Sequence, residues 1–285
     1  MSAKFGNLVK AARQILQTEE LLGSEYIPAM RNPLPAIEVA RPAEQAFDGI
    51  AESGPQGPRS MDAGGPDRAG PSSAAPTLQV PSGEHMTRDE KIAALAEVEK
   101  QVRRCKRCGL CSGRNNVVFG EGDAAAALMF IGEAPGEEED KQGRPFVGRA
   151  GQKLNEMIAA MGLRREDVYI ANIAKCRPPN NRPPMPEEAL ACREHLIRQI
   201  AIIHPKAIVT LGNPSTQNML NTTVGITRLR GQWQQLPPIA EGLGGIPVMP
   251  TFHPAFLLRQ YTPENRRKVW EDLQKVMDLL GLKKK

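Results

Sequence analysis

The chain has 285 residues, 40% of them hydrophobic and only 4% aromatic, with a formal net charge of +5. That length can bury a substantial core, while five cysteines are too few for a disulfide-stapled secreted scaffold. No run of about 18 apolar residues offers a membrane span, and the mild basic excess fits a polyanion partner without selecting one.

In chain order, Phe5, Leu8, Val9, Ala12, Ile15 and Leu16 fall at helical spacing, which predicts an amphipathic helix over residues 4–22. Within a segment of residues 1–40, this helix is a candidate contact for an unidentified protein, and a loose tail is the equal alternative. Lys4, Lys10 and Arg13 interrupt any apolar stretch, so no secretory signal is expected and the expected location is cytoplasmic. The basic start ahead of Glu19 keeps a transit peptide as the minor alternative. Residues 41–87 change character. Ser53-Gly-Pro-Gln-Gly-Pro-Arg59, Ala63-Gly-Gly-Pro66 and Gly70-Pro-Ser-Ser-Ala-Ala-Pro76 cannot bury enough apolar surface to order themselves, which predicts a disordered linker.

A globular pattern covers residues 88–285. Thr87 followed by Glu90 marks a helix start, with Leu95, Val98 and Val102 on one face. Strands are expected over 126–131, 168–173, 207–211 and 246–251. Helices are expected over 151–161, 187–203, 214–220 and 264–280, the last capped by Thr262 with Pro263 in its first turn. Alternation of this kind predicts an α/β fold: three αβα layers around a central four-stranded, mostly parallel sheet. Ligands of such sheets bind beyond the carboxyl ends of the strands. Two segments fall there, Gly132-Glu-Ala-Pro-Gly136 and His253-Pro-Ala-Phe-Leu-Leu-Arg259.

The cysteines pair as Cys105-x2-Cys108 and Cys176-x15-Cys192. Four thiolates suit either tetrahedral zinc or a 4Fe-4S cluster. Structural zinc usually takes two tight knuckles, so the wide second pair favours the cluster. Buried unliganded thiols are the remaining reading. Cys111 extends the first pair to a C-x2-C-x2-C run and competes for one of the four places. Between Cys176 and Cys192 lies a proline-stiffened stretch with Arg177 and Arg182, either a phosphate contact or a solvated surface loop.

Taken together, residues from about 90 to 280 resemble the family 4 uracil-DNA glycosylases. The resemblance rests on Cys105-x2-Cys108, Val118-Phe-Gly-Glu-Gly122, Ile131-Gly-Glu-Ala-Pro-Gly-Glu-Glu-Glu-Asp140 and Gly143-Arg-Pro-Phe-Val-Gly148. It continues through Asn172-Ile-Ala-Lys-Cys-Arg-Pro178, Cys192 and His253-Pro-Ala-Phe-Leu-Leu-Arg259. The first 87 residues fall outside it. What it implies is a monofunctional enzyme of base excision repair. Such an enzyme flips uracil out of DNA, most cheaply from a mispair with guanine, and hydrolyses the N-glycosidic bond to leave an abasic site.

By the same resemblance, the backbone of Gly132, Glu133 and Ala134 lines the base pocket, Phe146 stacks on uracil, and Asn172 reads its Watson–Crick edge. His253 donates a hydrogen bond toward uracil O2, with Glu133 as a second catalytic candidate that orients water. Leu257, Leu258 and Arg259 wedge into the minor groove. Cys105, Cys108, Cys176 and Cys192 hold a 4Fe-4S cluster with Cys111 spare, and Glu139 helps exclude the thymine methyl. Ala134 stands where some branches carry an acidic residue and a covalently trapping relative carries Gln. That relative's Lys/Arg-rich loop before the fourth cysteine is also missing here. A dissociative reaction with turnover is therefore expected. The expected partner is uracil-containing DNA, with no membrane, and the chain is expected to be a monomer. The rival readings are a non-catalytic iron–sulfur nucleic-acid-binding adaptor and a zinc-stabilised nucleotide-processing enzyme.

Overall fold

The structure, a computed structural model, describes residues 82–240 and 243–283. The helix expected over 4–22 and the linker expected up to residue 81 lie outside them. The last six residues assigned to that linker are part of the globular unit. Gly83–His85 form a 3-10 turn, and a Cβ on Gly83 would meet the Ile202 carbonyl oxygen at 1.8 Å. A bare glycine backbone pressed against a helix end leaves no trace in composition.

Helix α1 (Arg88–Arg103) starts as expected. Thr87 Oγ1 accepts from the Glu90 N–H at 3.3 Å, and the Glu90 carboxylate accepts from the Thr87 N–H at 2.7 Å. Its apolar face packs on α4 (Pro186–Ile203), where buried Lys91 donates to the Ile203 carbonyl at 2.9 Å and satisfies the helix end.

The sheet is built on β2 (Leu128–Gly132), β3 (Tyr169–Asn172), β4 (Ala207–Leu211) and β6 (Pro247–Thr251), all mutually parallel. Two-residue edge strands, β1 (Glu121–Gly122) and β5 (Gln234–Gln235), add antiparallel to β3 and β6. They extend the expected four strands to six among the described residues, and pieces of two residues are too short to show alternation. Strands β2, β3 and β4 are buried along their whole length, so they read as continuous apolar runs. Met129, Ile131 and Ile208 face the layer of α1 and α4. Leu128, Phe130 and Val209 face α3 (Arg149–Ala160) and α8 (Pro263–Leu280). The three layers are those expected.

Strand order is β1-β3-β2-β4-β6-β5. The chain leaves β2 on one side and later continues on the other, so the sheet has a switch point between β2 and β4. Crevices for ligands form there, outside the carboxyl ends. Four short segments emerge into it: Gly132–Ala134 leading to α2 (Glu137–Gln142), Asn172 onward, Gly212 before α5 (Asn213–Leu220), and, after the one-turn α6 (Ile226–Leu229), His253 before α7 (Pro254–Arg259).

Candidate active site and cysteine centre

Parallel register sets Gly132 beside Asn172. A Cβ on Gly132 would meet Asn172 Oδ1 at 2.4 Å and Phe146 Cζ at 2.5 Å, so the absent side chain is what lets these three meet. The Phe146 ring also stands 5.7 Å from the His253 ring, centroid to centroid, tilted by 33°. Four of the six residues expected to contact a base, Gly132, Phe146, Asn172 and His253, thus converge from three strand ends and one loop. Asn172 is 2% exposed, yet its Oδ1 has no hydrogen-bond partner. An unpaired buried acceptor of this kind is costly unless a ligand supplies the donor.

Phe146 is held in an uncommon backbone conformation, with φ of 50°. For a bulky side chain that geometry costs on the order of 1–3 kcal/mol and persists only where neighbours impose it. Here the neighbours are explicit. Glu139 accepts from the N–H groups of Val147 and Gly148 at 2.9 and 2.8 Å and from Gly136 at 3.1 Å. Arg165 donates to the carbonyls of Pro145 and Phe146, and its Nε donates to Glu121 at 2.6 Å. Glu139 therefore serves the loop behind the aromatic ring. Its carboxylate is committed to three backbone N–H groups, which argues against the expected contact with a thymine methyl. Buried Asp140 does similar work, accepting from the backbone N–H groups of Asn115 and Asn116 at 2.9 and 3.2 Å.

His253 is the N-cap of α7. Its Nδ1 accepts from the Ala255 N–H at 3.0 Å, which leaves the proton of a neutral ring on Nε2. Burial, aided by the positive charge of Arg259, lowers its pKa to about 4, so the ring is neutral at physiological pH. Gly212, at φ of 87°, makes room for it: a Cβ there would meet His253 Cβ at 2.9 Å.

In the turn after β2, the Gly132 and Glu133 carbonyls each accept a 3.0 Å hydrogen bond from the N–H groups of Ile173 and Ala174. Burial alone raises the Glu133 pKa, and Glu133 Oε1 has no partner. Its side chain lines a cavity of about 580 Å³ with Arg193 and Asn218, whose Oδ1 is likewise unpaired. The Ala134 side chain packs toward Leu110, Ala174 and Cys176. Of the three residues expected to form a wedge, Leu257 is 3% exposed and belongs to the core, Leu258 is half-buried, and Arg259 is exposed. These residues form a short packed helix, the alternative to a wedge that the motif also allows, and its turn rotates Leu257 inward.

All five cysteines line one narrow cavity, together with Arg107, Arg114, Lys175 and His195. Among the described residues, no three Cys, His, Asp or Glu groups converge as they would on a single ion. Arg114 Nη1 donates to Cys176 Sγ at 3.1 Å, and the Lys175 N–H donates to Cys192 Sγ at 3.3 Å. Burial pushes the Cys192 thiol up to about 11 and raises Cys176 as well. An Arg107 guanidinium nitrogen lies 2.8 Å from His195 Nε2, and since Arg can only donate, Nε2 accepts. Burial, with Arg107 beside the ring, lowers the His195 pKa to about 4. The neutral ring therefore carries its proton on Nδ1, a buried atom without a partner.

Lys175 joins the two regions. It is fully buried, and burial lowers its pKa to about 8. Its Nζ donates to the Asn172 carbonyl at 2.9 Å and to Gln199 Oε1 at 2.5 Å. Sequence reasoning passed over Lys175, Arg165 and His195. Lys175 had one available signal, since it lies in sequence between Asn172, the expected base reader, and Cys176, an expected cluster ligand.

A mostly parallel sheet with its switch point at this cluster, beside a separate multi-cysteine cavity, defines an α/β protein with a candidate ligand site at its strand ends. The family model of the Uracil DNA glycosylase superfamily matches residues 119–274. The type-4 uracil-DNA glycosylase of Thermotoga maritima is 49% identical over 195 residues, covering 68% of this chain and 97% of that protein. The type-4 uracil-DNA glycosylase of Sulfurisphaera tokodaii is 46% identical, covering 65% of this chain and 84% of that protein. A type-5 uracil-DNA glycosylase of Pyrobaculum aerophilum is 30% identical, over 47% of this chain and 63% of that protein. The chain belongs to the uracil-DNA glycosylase superfamily, on its type-4 side.

Proposed function

We propose that the protein is a monofunctional uracil-DNA glycosylase of base excision repair. The observation that carries this reading is the contact of Gly132, Phe146, Asn172 and His253, with an unpaired acceptor on Asn172. A uracil taken out of the DNA stack offers a π-face to Phe146. Its N3–H is the donor that Asn172 Oδ1 lacks, and its O4 accepts from the same carboxamide. Cytosine reverses both roles and would leave buried groups unpaired, a mismatch worth up to about 10⁴-fold in rate. Because the Gly132 and Glu133 carbonyls are engaged, the turn meets the base through N–H groups.

Bond cleavage leaves the electron pair on uracil and positive character on the sugar. The neutral Nε2–H of His253 is the donor for the charge growing at O2, a preorganised contact of the kind worth about 3–4 kcal/mol in the transition state. A water then adds to the sugar carbon and loses a proton, and Glu133, whose Oε1 is buried without a hydrogen-bond partner, is the candidate group to orient it. Leu258 and Arg259, at the exposed side of α7, fill the space the base vacates, while Leu257 anchors the helix.

The cysteine cavity fits a 4Fe-4S cluster. Its thiols ring a space instead of converging on a point, and an anionic group there would meet Arg114, the Lys175 N–H and the unpartnered Nδ1–H of His195. Cys105, Cys108, Cys176 and Cys192 would hold it, with Cys111 spare. Hydrolysis requires no electron transfer, so such a cluster would supply cross-linking, tying the segment after α1 to the end of β3 and to α4.

The test is cleavage of a single-uracil duplex by anaerobically purified protein, beside Asn172→Ala and His253→Ala variants. Abasic product from the wild type, with losses of about 100-fold or more in both variants, is the expected result. A folded protein that gives no product would refute the reading.

A further inference from the structure

Beyond the wedge, on the outer side of α3 and α8, lies a surface groove of about 470 Å³. Leu257 lies in its wall, so the groove is continuous with the helix that carries Leu258 and Arg259. Tyr261 stands at its edge, 56% exposed. Lys153 Nζ and the Arg266 guanidinium lie over the Tyr261 ring at 5.0 and 5.1 Å from its centroid. Stacking of this kind holds two flexible cations at one rim before any ligand arrives. Arg267, paired with Glu271 at 3.5 Å, adds a third, and the one carboxylate in the lining, Glu156, pairs with Lys153. Arg266 has no carboxylate partner among the ion pairs of the described residues, and neither does Arg259. Between the cations the lining is apolar, with Trp270 and Leu273.

We propose that this groove is a second DNA subsite, which holds the strand carrying the uracil a few nucleotides beyond the flipped base. Cations prepositioned on an aromatic ring compensate phosphates, and the apolar wall receives an unstacked base. That combination binds single-stranded nucleic acid without sequence preference. The inference rests on the glycosylase reading, because α7 orients the strand toward the groove. It adds a surface that neither the base pocket nor the wedge requires. An acidic peptide would satisfy the same charges, but only DNA is already delivered to the adjoining helix.

The experiment compares kcat/KM on single-stranded oligonucleotides with one central uracil. Flanks of two nucleotides on both sides are compared with flanks extended to ten on the 5′ or the 3′ side. In the wild type, extension on one side is expected to raise kcat/KM. Tyr261→Ala and Arg266→Ala should each remove about five- to tenfold of that gain and flatten the salt dependence by roughly 0.7 in logarithmic slope per lost phosphate contact. Both should match the wild type on the short substrate, Arg266→Lys should recover most of the gain, and unchanged melting temperatures would show intact folding. A wild type indifferent to flank length, or variants equally impaired on short and long substrates, would overturn the subsite while leaving the glycosylase intact. No excision of any substrate by the wild type would remove both.

Discussion

At the scale of single residues, the site depends on a side chain that is not there. Gly132 brings Asn172 and Phe146 to within a virtual methyl's contact, at 2.4 and 2.5 Å. In Gly132→Ala one of them must move, and overpacking of this kind costs about 1–3 kcal/mol. Excision by this variant is expected to fall by roughly 10- to 100-fold, with the loss mainly in KM if the slot closes. Steady-state kinetics decide it, and wild-type constants would mean the base does not bind there. The two titratable groups make an independent statement. His253 is neutral above about 4, so it contributes no acid limb near neutrality. Burial raises Glu133 above its ordinary range, so its carboxylate is lost first as pH falls. The kcat/KM profile should therefore decline through the Glu133 pKa, and in Glu133→Gln that limb should disappear, leaving a lower plateau that extends toward pH 4. An acid limb that survives in Glu133→Gln but vanishes in His253→Gln would reverse these assignments.

Among elements, the short α2 does more than its sequence suggests. Glu137-Glu-Glu-Asp140 is a run of four acids, and two of its members face water beside Lys141. The other two turn inward: Glu139 onto the Phe146 loop and Asp140 onto Asn115 and Asn116. The helix thus staples the aromatic loop and the segment after the cysteine run to the turn that follows β2. Releasing the Phe146 loop by Glu139→Ala removes charge-assisted hydrogen bonds worth about 1.5–3 kcal/mol each before relaxation. Uracil affinity, read as product inhibition, should drop at least tenfold while the visible absorbance expected of the proposed cluster stays unchanged. Loss of the chromophore together with affinity would instead mean that α2 supports the whole domain. None of this inward turn was legible, because four consecutive acids carry no periodicity. The capping box at Thr87 and Glu90 was legible, because its two hydrogen bonds need only a fixed spacing of three residues.

For the molecule as a whole, the question is how a metal-type centre and a base pocket share one sheet. The ladder of β2 and β3 continues past Asn172: the Ile173 and Ala174 N–H groups pair with the turn at Gly132 and Glu133. Cys176 follows directly, and Lys175 ties the Asn172 carbonyl to the cysteine cavity. Removing a ligand of the proposed cluster should therefore loosen the pocket through a few covalent steps. Cys176→Ser is expected to lose both the absorbance near 400 nm and excision, whereas Cys111→Ser should keep both. Visible spectra and an excision assay on anaerobic protein test the pair, and a colourless Cys111→Ser would move Cys111 into the ligand set.

The αβα class, the four central strands, most long helices and the candidates Gly132, Phe146, Asn172, His253 and the cysteines were legible in the chain before it folded. The class, strands and helices rest on local periodicity and capping, and the cysteine set on spacing, all properties of neighbours in the chain, whereas Gly132, Phe146, Asn172 and His253 came from the family resemblance. Tertiary structure decided what depends on partners far away in sequence. It set Leu257 into the core and left Leu258 half-buried, engaged Glu139 with the backbone around Phe146, and fixed the His253 proton on Nε2. It also buried Lys175 between two sites and made Ser82–Thr87 part of the globular unit. A side chain's orientation and protonation follow from what surrounds it, and only the closed fold supplies those surroundings.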